Sequence, residues 1–181
     1  MAARPENVSN LAEFGHIHRL PPPTPPPDEL RHLLQSGRLR ALLEDRYPET
    51  HEVRTDRALY EYVHDLQGAA MKRAAPLAKV VYDNRLHVIR GALGTHTTVT
   101  RLQGKKLKTK REIRVASLFK QAPAAFLRMI VVHELAHQKE REHDKNFYAL
   151  CTHMEPDYHQ LEYDFRLWLL ACEHQPEPPA T

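Results

Sequence analysis

The chain has 181 residues and a formal net charge of +3, so it can form one domain with a sizeable core and its charge does not require a nucleic-acid partner. No apolar run approaches the roughly 20 residues that cross a bilayer, and the first residues lack the apolar core of a signal peptide. The two cysteines argue against a disulfide scaffold and favour a reducing compartment, so we expect a cytoplasmic protein without a membrane partner.

Both ends of the chain are predicted to be disordered. Residues 1–27 show no sustained period and finish in Pro-Pro-Pro-Thr-Pro-Pro-Pro, which favours an extended polyproline helix and cannot pack into a core. This segment is interpreted as a semi-rigid tail, with an SH3-like ligand as the alternative. Residues 175–181 are similarly polar and rich in proline. We therefore expect one folded domain over residues 28–174.

Three helices are predicted in the first part of this domain. The first opens at Asp28 and ends at Gly37, and the second stops before Pro48. The third begins at Thr55 and Asp56 and is the longest of them. Their apolar faces are formed by Leu30, Leu33 and Leu34, then Leu39, Leu42 and Leu43, then Leu59, Tyr62, Val63, Leu66 and Ala70.

After Pro76 the hydrophobic period changes from that of a helix to that of a strand. Asp83-Asn84 is a favourable turn pair between the first two predicted strands. The predicted strands are Lys79–Tyr82, Leu86–Arg90, Thr97–Leu102 and Glu112–Ala116. The expected fold class is α+β, with a small, mainly antiparallel sheet that leads into a buried helix.

A basic run lies within this region. Between Arg101 and Arg114 there are seven Lys or Arg residues and one acidic residue, Glu112. One interpretation is a solvated edge strand that lysines protect from aggregation. The other is a platform for phosphate or an acidic substrate, and its candidate binding residues are Lys105, Lys106, Lys108 and Arg111.

The pattern H-E-x-x-H at residues 133–137 is the most informative part of the sequence. Residues four apart lie on one helix face, so His133 and His137 can bind the same ion, and Glu134 beside them can serve as general base. His143 is the nearest candidate for a third ligand. Three protein ligands leave one position of tetrahedral zinc for water, as in catalytic sites, although three imidazoles also suit other divalent ions.

The flanking residues support this interpretation over a surface helix with two incidental histidines. The residues before His133 are apolar nearly all round, which is typical of a buried helix, and Pro123 is placed to begin it. Asp144 is a candidate N-cap for the next helix, and Pro156 and Asp157 open the last one. The apolar positions of these two helices are Phe147, Leu150, Cys151 and Met154, then Leu161, Phe165, Trp168 and Cys172.

Residues 40–172 resemble the YgjP-like metallopeptidase family of bacteria. The resemblance rests on His-Glu-Leu-Ala-His (133–137), His143-Asp144, Phe147-Tyr148, Pro156-Asp157-Tyr158, Gly104-Lys105-Lys106-Leu107-Lys108, Pro123, Leu59-Tyr60-Glu61-Tyr62 and Pro76-Leu77. The histidine pattern is also similar to that of the WLM family of DNA–protein crosslink proteases. The resemblance implies a minimal zincin fold in which His133, His137 and His143 bind zinc and Glu134 is the general base.

Three functions remain open at this point. The first is a zinc metallopeptidase that holds an extended peptide along an edge strand such as Glu112–Ala116. The second is a metal-dependent phosphohydrolase that acts on a nucleotide or other phosphate substrate through the 101–114 run. The third is a non-enzymatic interaction module stabilised by the metal. The sequence does not give the oligomeric state.

Overall fold

A computed structural model describes residues 27–84, 94–103 and 106–174, with side chains at 28–84 and 111–174. Six α-helices, three strands and one 3₁₀ turn form in these residues, which confirms the α+β class. In chain order they are α1 (Pro27–Gln35), α2 (Arg38–Arg46), α3 (Asp56–Ala70), β1 (Lys79–Asp83), β2 (Gly94–Gln103), β3 (Lys106–Ala116), the 3₁₀ turn (Ser117–Lys120), α4 (Ala124–Ala136), α5 (Lys145–Met154) and α6 (Tyr158–Glu173).

The chain divides into two compact units, and the first consists of residues 1–48 and 157–181. Its described helices are α1, α2 and α6. Gly37, with φ of 69°, adopts the left-handed conformation that separates α1 from α2. The carboxylate of Asp164 on α6 is 2% exposed and accepts hydrogen bonds from Arg46 (2.9 Å) and Tyr47 (2.7 Å), which joins α2 to α6.

The second unit, residues 49–156, contains the sheet and the helices α3, α4 and α5. The strand order is β1-β3-β2, so β3 is the central strand. The pair β1–β3 is parallel, with Val80 opposite Ile113, and the pair β2–β3 is antiparallel. Val80, Tyr82, Ile113 and Val115 are buried on the face of the sheet that they share.

Two predictions about the sheet are wrong. The sheet is mixed, because β1 pairs in parallel with β3, which follows much later in the chain, and only the β2–β3 pair is antiparallel. Glu112–Ala116 is not an edge strand either, since β3 pairs with β1 on one side and with β2 on the other. The predicted strand at 86–90 lies outside the described residues.

The predicted helix starts are confirmed in the second unit. The Thr55 side chain accepts a hydrogen bond from the Ala58 N–H at the start of α3, and Asp144 accepts from Asn146 and Phe147 at the start of α5. Pro123 is the N-cap of α4. No helix in the described ranges combines the length and hydropathy that a membrane span requires.

The predicted division into one folded domain, residues 28–174, and two disordered ends stays a prediction. Apart from Pro27, which begins α1, the predicted tails lie outside the described residues.

Candidate metal centre

Helix α4 provides a rigid base for the site. Nine of its thirteen residues are buried, because apolar side chains occur on nearly every side of it. The helix ends at the site itself: His137 is the C-cap, still in right-handed helical conformation, and its N–H donates to the His133 carbonyl. The two histidines are therefore one helical turn apart with their rings on the same side.

His143 reaches the same place from the start of the next helix. It directly precedes Asp144, whose side chain caps α5 by accepting from the N–H groups of Asn146 and Phe147 at 2.9 and 3.0 Å. This cap fixes the point at which the chain turns from the end of α4 into α5. The imidazole of His143 is thereby brought back to those of His133 and His137.

The three imidazoles converge through one nitrogen each. The Nε2 atoms of His133, His137 and His143 are separated by 3.0 to 3.2 Å. Ligand nitrogens on tetrahedral zinc, at about 2.0–2.1 Å from the ion, lie about 3.3–3.4 Å apart. The observed triangle therefore fits a small divalent cation, which would accept all three lone pairs at once. Among the described residues, these three form the one group of metal-ligating side chains of this kind.

A backbone contact fixes the tautomer of His137. Its Nδ1 lies 2.9 Å from the Glu140 carbonyl oxygen, which can only accept, so Nδ1 carries the proton and Nε2 presents its lone pair to the other two rings. Burial lowers the pKa of His137, which favours the neutral ring that a metal ligand requires.

Glu134, which follows His133 in α4, is enclosed by the protein. Its side chain is 2% exposed, and its Oε2 is buried without a hydrogen-bond partner in the described structure. Burial raises the pKa of the carboxyl to about 8. A buried acid without a compensating partner is costly in a fold, and a neighbouring divalent cation is the kind of charge that would stabilise its ionised form.

Sequence reasoning missed a contact made by Phe147. This fully buried ring was predicted only to pack in the core. Its centroid lies 5.0 Å from that of His133 and 4.7 Å from those of His137 and His143. Its position four residues after His143, at the start of a helix, was the available signal.

A second missed feature is the buried side chain of Gln67 on α3. Its Nε2 donates to the carbonyl of Ala75 and to Oε1 of Gln138, each at 3.0 Å. Gln138 directly follows His137, so this pair of amides holds the chain where it leaves α4 for His143. A buried polar residue in a helix was not distinguishable from a surface one by spacing alone.

The structure describes the four predicted phosphate-binding residues only in part. Lys105 lies outside the described residues. Lys106 and Lys108 are in β3 opposite Gln103 and Arg101, and their side chains are not described. Arg111, opposite Thr98, is half-buried, and its side chain makes no ion pair with the described residues.

A buried helix that carries H-E-x-x-H, with a third imidazole completing a metal-sized triangle, defines a metal-dependent hydrolase. A family model described as the YgjP-like metallopeptidase domain matches residues 100–166. A UTP pyrophosphatase of Escherichia coli (strain K12) is 58% identical over 141 residues, which cover 78% of this chain and 84% of that protein. The chain belongs to the YgjP-like metallopeptidase family, as the resemblance predicted. No solved structure matches it significantly.

Proposed function

We propose that this protein hydrolyses a nucleoside triphosphate, with UTP as the leading substrate, to the nucleoside monophosphate and pyrophosphate. The observation that carries the proposal is the 58% identity to a UTP pyrophosphatase. Any stretch of 141 residues in a chain of 181 includes residues 41–141, so the matched region contains His133, Glu134 and His137. This was the alternative to peptide hydrolysis in the sequence analysis.

The proposed ligands of the divalent ion are His133, His137 and His143, and zinc is the metal that their chemistry favours. When bound, the ion supplies Lewis-acid activation of water and neutralises charge on phosphate oxygens. The proposed fold type, a minimal zincin, rests on the same helix and triad.

Glu134 is the proposed general base. In the reaction, a water oxygen forms a bond to the α-phosphorus while the bond from that phosphorus to the bridging oxygen breaks. Glu134 accepts the proton of the attacking water and passes it to the departing pyrophosphate. Its burial keeps bulk water away from the carboxyl group.

The substrate carries several negative charges, and we propose that Lys105, Lys106, Lys108 and Arg111 bind them. Arg111 is the one of the four whose side chain the structure describes; the residue is half-buried and makes no ion pair with the described residues. Replacing Arg111 with alanine is expected to raise KM for UTP about tenfold or more, as a lost charged hydrogen bond costs roughly 1.5–3 kcal/mol. The same change at Lys72, an exposed cation outside the run, is the matched control and should leave KM unchanged.

Peptide hydrolysis is the second candidate, because the matching family model is described as a metallopeptidase domain. The structure counts against the mode of peptide binding that was expected, namely strand addition. The strand chosen for it, Glu112–Ala116, is paired on both sides and has no open edge for strand addition.

The test is release of pyrophosphate from UTP by metal-loaded protein, with a panel of peptides assayed in parallel. Glu134→Gln should retain the metal and lose activity by about 10²–10⁴-fold, the usual contribution of a general base. Peptide cleavage without pyrophosphate release would overturn the nucleotide assignment. Activity that survives Glu134→Gln at full metal content would remove the proposed role of Glu134.

We also propose a reducing compartment such as the cytoplasm. The proposal rests on the small number of cysteines. Cys151 is buried, whereas Cys172, predicted on the apolar face of the last helix, is exposed.

A further inference from the structure

The aromatic ring of Phe147 lies at nearly the same distance from each of the three imidazoles. The imidazole centroids of His133, His137 and His143 are 4.9 Å from one another. The Phe147 centroid is 4.7 to 5.0 Å from each of them. The four ring centroids therefore occupy the corners of a nearly regular tetrahedron, with that of Phe147 about 4 Å from the plane of the other three, and each separation lies in the range of aromatic contacts.

We propose that Phe147 is a positioning residue that closes one face of the histidine triangle, so that a bound ion has its open coordination position on the opposite face. The inference rests on the proposed metal-dependent function and extends it to a residue that does not itself bind the metal. A benzene ring centred about 4 Å from the plane of the three imidazole centroids occupies that side of the triangle, so we expect a water ligand on the other side.

The same ring also restricts the orientation of the imidazoles. It meets His133 and His143 edge to face, with interplanar angles of 73°, and lies at 38° to His137. Rotations that change the angle between an imidazole and the Phe147 ring, or that displace the imidazole, would disturb these contacts. Holding three side chains before the metal arrives reduces the entropy lost on binding and therefore raises the affinity.

Two features distinguish this role from ordinary core packing. Phe147 is 0% exposed, although two of the three rings it contacts are half-buried and His143 is exposed. In addition, the side chain of Asp144 accepts a hydrogen bond from the Phe147 N–H in the first turn of α5, which fixes the backbone position of Phe147. The ring thus forms an apolar floor below a site that is open above it.

The test is titration of chelator-treated protein with Co²⁺, whose visible absorption reports the geometry and number of its ligands. Phe147→Leu is expected to weaken Co²⁺ binding about tenfold or more, within the range for residues that orient metal ligands. The cavity left under the triad should admit a further water ligand, so the absorption should fall severalfold as the ion moves from four ligands to a higher number.

Phe126→Leu is the matched control. Phe126 is a fully buried phenylalanine on α4, seven residues and about 10 Å before His133 along the helix. It should lose a similar amount of thermal stability while Co²⁺ affinity and spectrum stay unchanged. If Phe147→Leu does not fold, Phe147→Met retains most of the volume without a flat ring and should show the same loss of affinity and change of spectrum.

Equal Co²⁺ affinity and an unchanged spectrum in the Phe147 variants would overturn the inference, as would an equal loss in Phe126→Leu. Failure of the proposed function is a separate result, namely a wild-type protein that binds the metal normally and releases no pyrophosphate from UTP. A wild-type protein that takes up no metal at the triad would overturn both.

Discussion

The buried carboxyl of Glu134 predicts how the stability of the metal-free protein depends on pH. Its pKa rises from 4.5 to about 8 on folding because the side chain is buried. Between these values the unfolded chain is ionised and the folded chain is not, so stability is lost as pH rises and the loss is complete above about pH 8. The effect amounts to about 3 kcal/mol at pH 7 and less than about 1 kcal/mol at pH 5.

Glu134→Gln removes this titration and keeps nearly the same shape. The test is urea unfolding of chelator-treated protein, followed by circular dichroism. The free energy of unfolding of the variant, relative to that of the wild type, should increase as pH rises from 5 to 8. Histidine titrations are shared by both proteins and cancel in the difference. A difference in unfolding free energy that is constant over this range would refute the reasoning.

Three further predictions concern stability and the frame of the site. Asp164→Ala leaves Arg46 and Tyr47 without their buried acceptor and should cost about 2–3 kcal/mol of unfolding free energy, whereas Glu44→Ala, which breaks the exposed pair with Arg40, should cost less than about 1 kcal/mol. Gly37→Ala, at a left-handed φ of 69°, should destabilise by about 1 kcal/mol, while Gly68→Ala, where an added Cβ meets nothing within 4 Å, should stabilise α3 by about 0.5–1 kcal/mol. Gln67→Ala should lower both stability and metal affinity, because Gln138 loses its donor next to His137; unchanged metal affinity would show that the amide pair does not support the site.

The sequence predicted the helices and the grouping of the three histidines because both depend on short-range spacing. Apolar residues at helical intervals, with Thr55, Pro123 and Asp144 at the starts, were enough to place α3, α4 and α5. The interval of four between His133 and His137 puts both rings on one helix face, and the cap at Asp144 places His143 near them.

The arrangement of the strands could not be predicted in the same way. An alternating pattern indicates which residues share a face of the sheet, but it does not specify which strand is the neighbour or its direction. Lys79–Asp83 was expected to form a hairpin with the segment after it, which lies outside the described residues, and its parallel pairing with β3 was not predicted. The error mattered for function, since it made Glu112–Ala116 look like an open edge.

The ring contacts of Phe147 and the hydrogen bonds of Gln67 could not be predicted from the sequence either. Each joins side chains that come from different elements. Their roles are set by how α3, α4 and α5 pack, and periodicity indicates only that such residues are buried. The proposed substrate likewise came from the comparison with a relative, because three imidazoles and a carboxylate suit several hydrolytic reactions.

The central claim is that one divalent ion, held by His133, His137 and His143, supports pyrophosphate release from a nucleoside triphosphate. The most direct measurement is the rate of pyrophosphate release from UTP as zinc is added to chelator-treated protein. The account predicts a rate that starts near zero and reaches its plateau at one ion per chain. A rate that does not depend on added metal, or no release at one bound ion per chain, would contradict it.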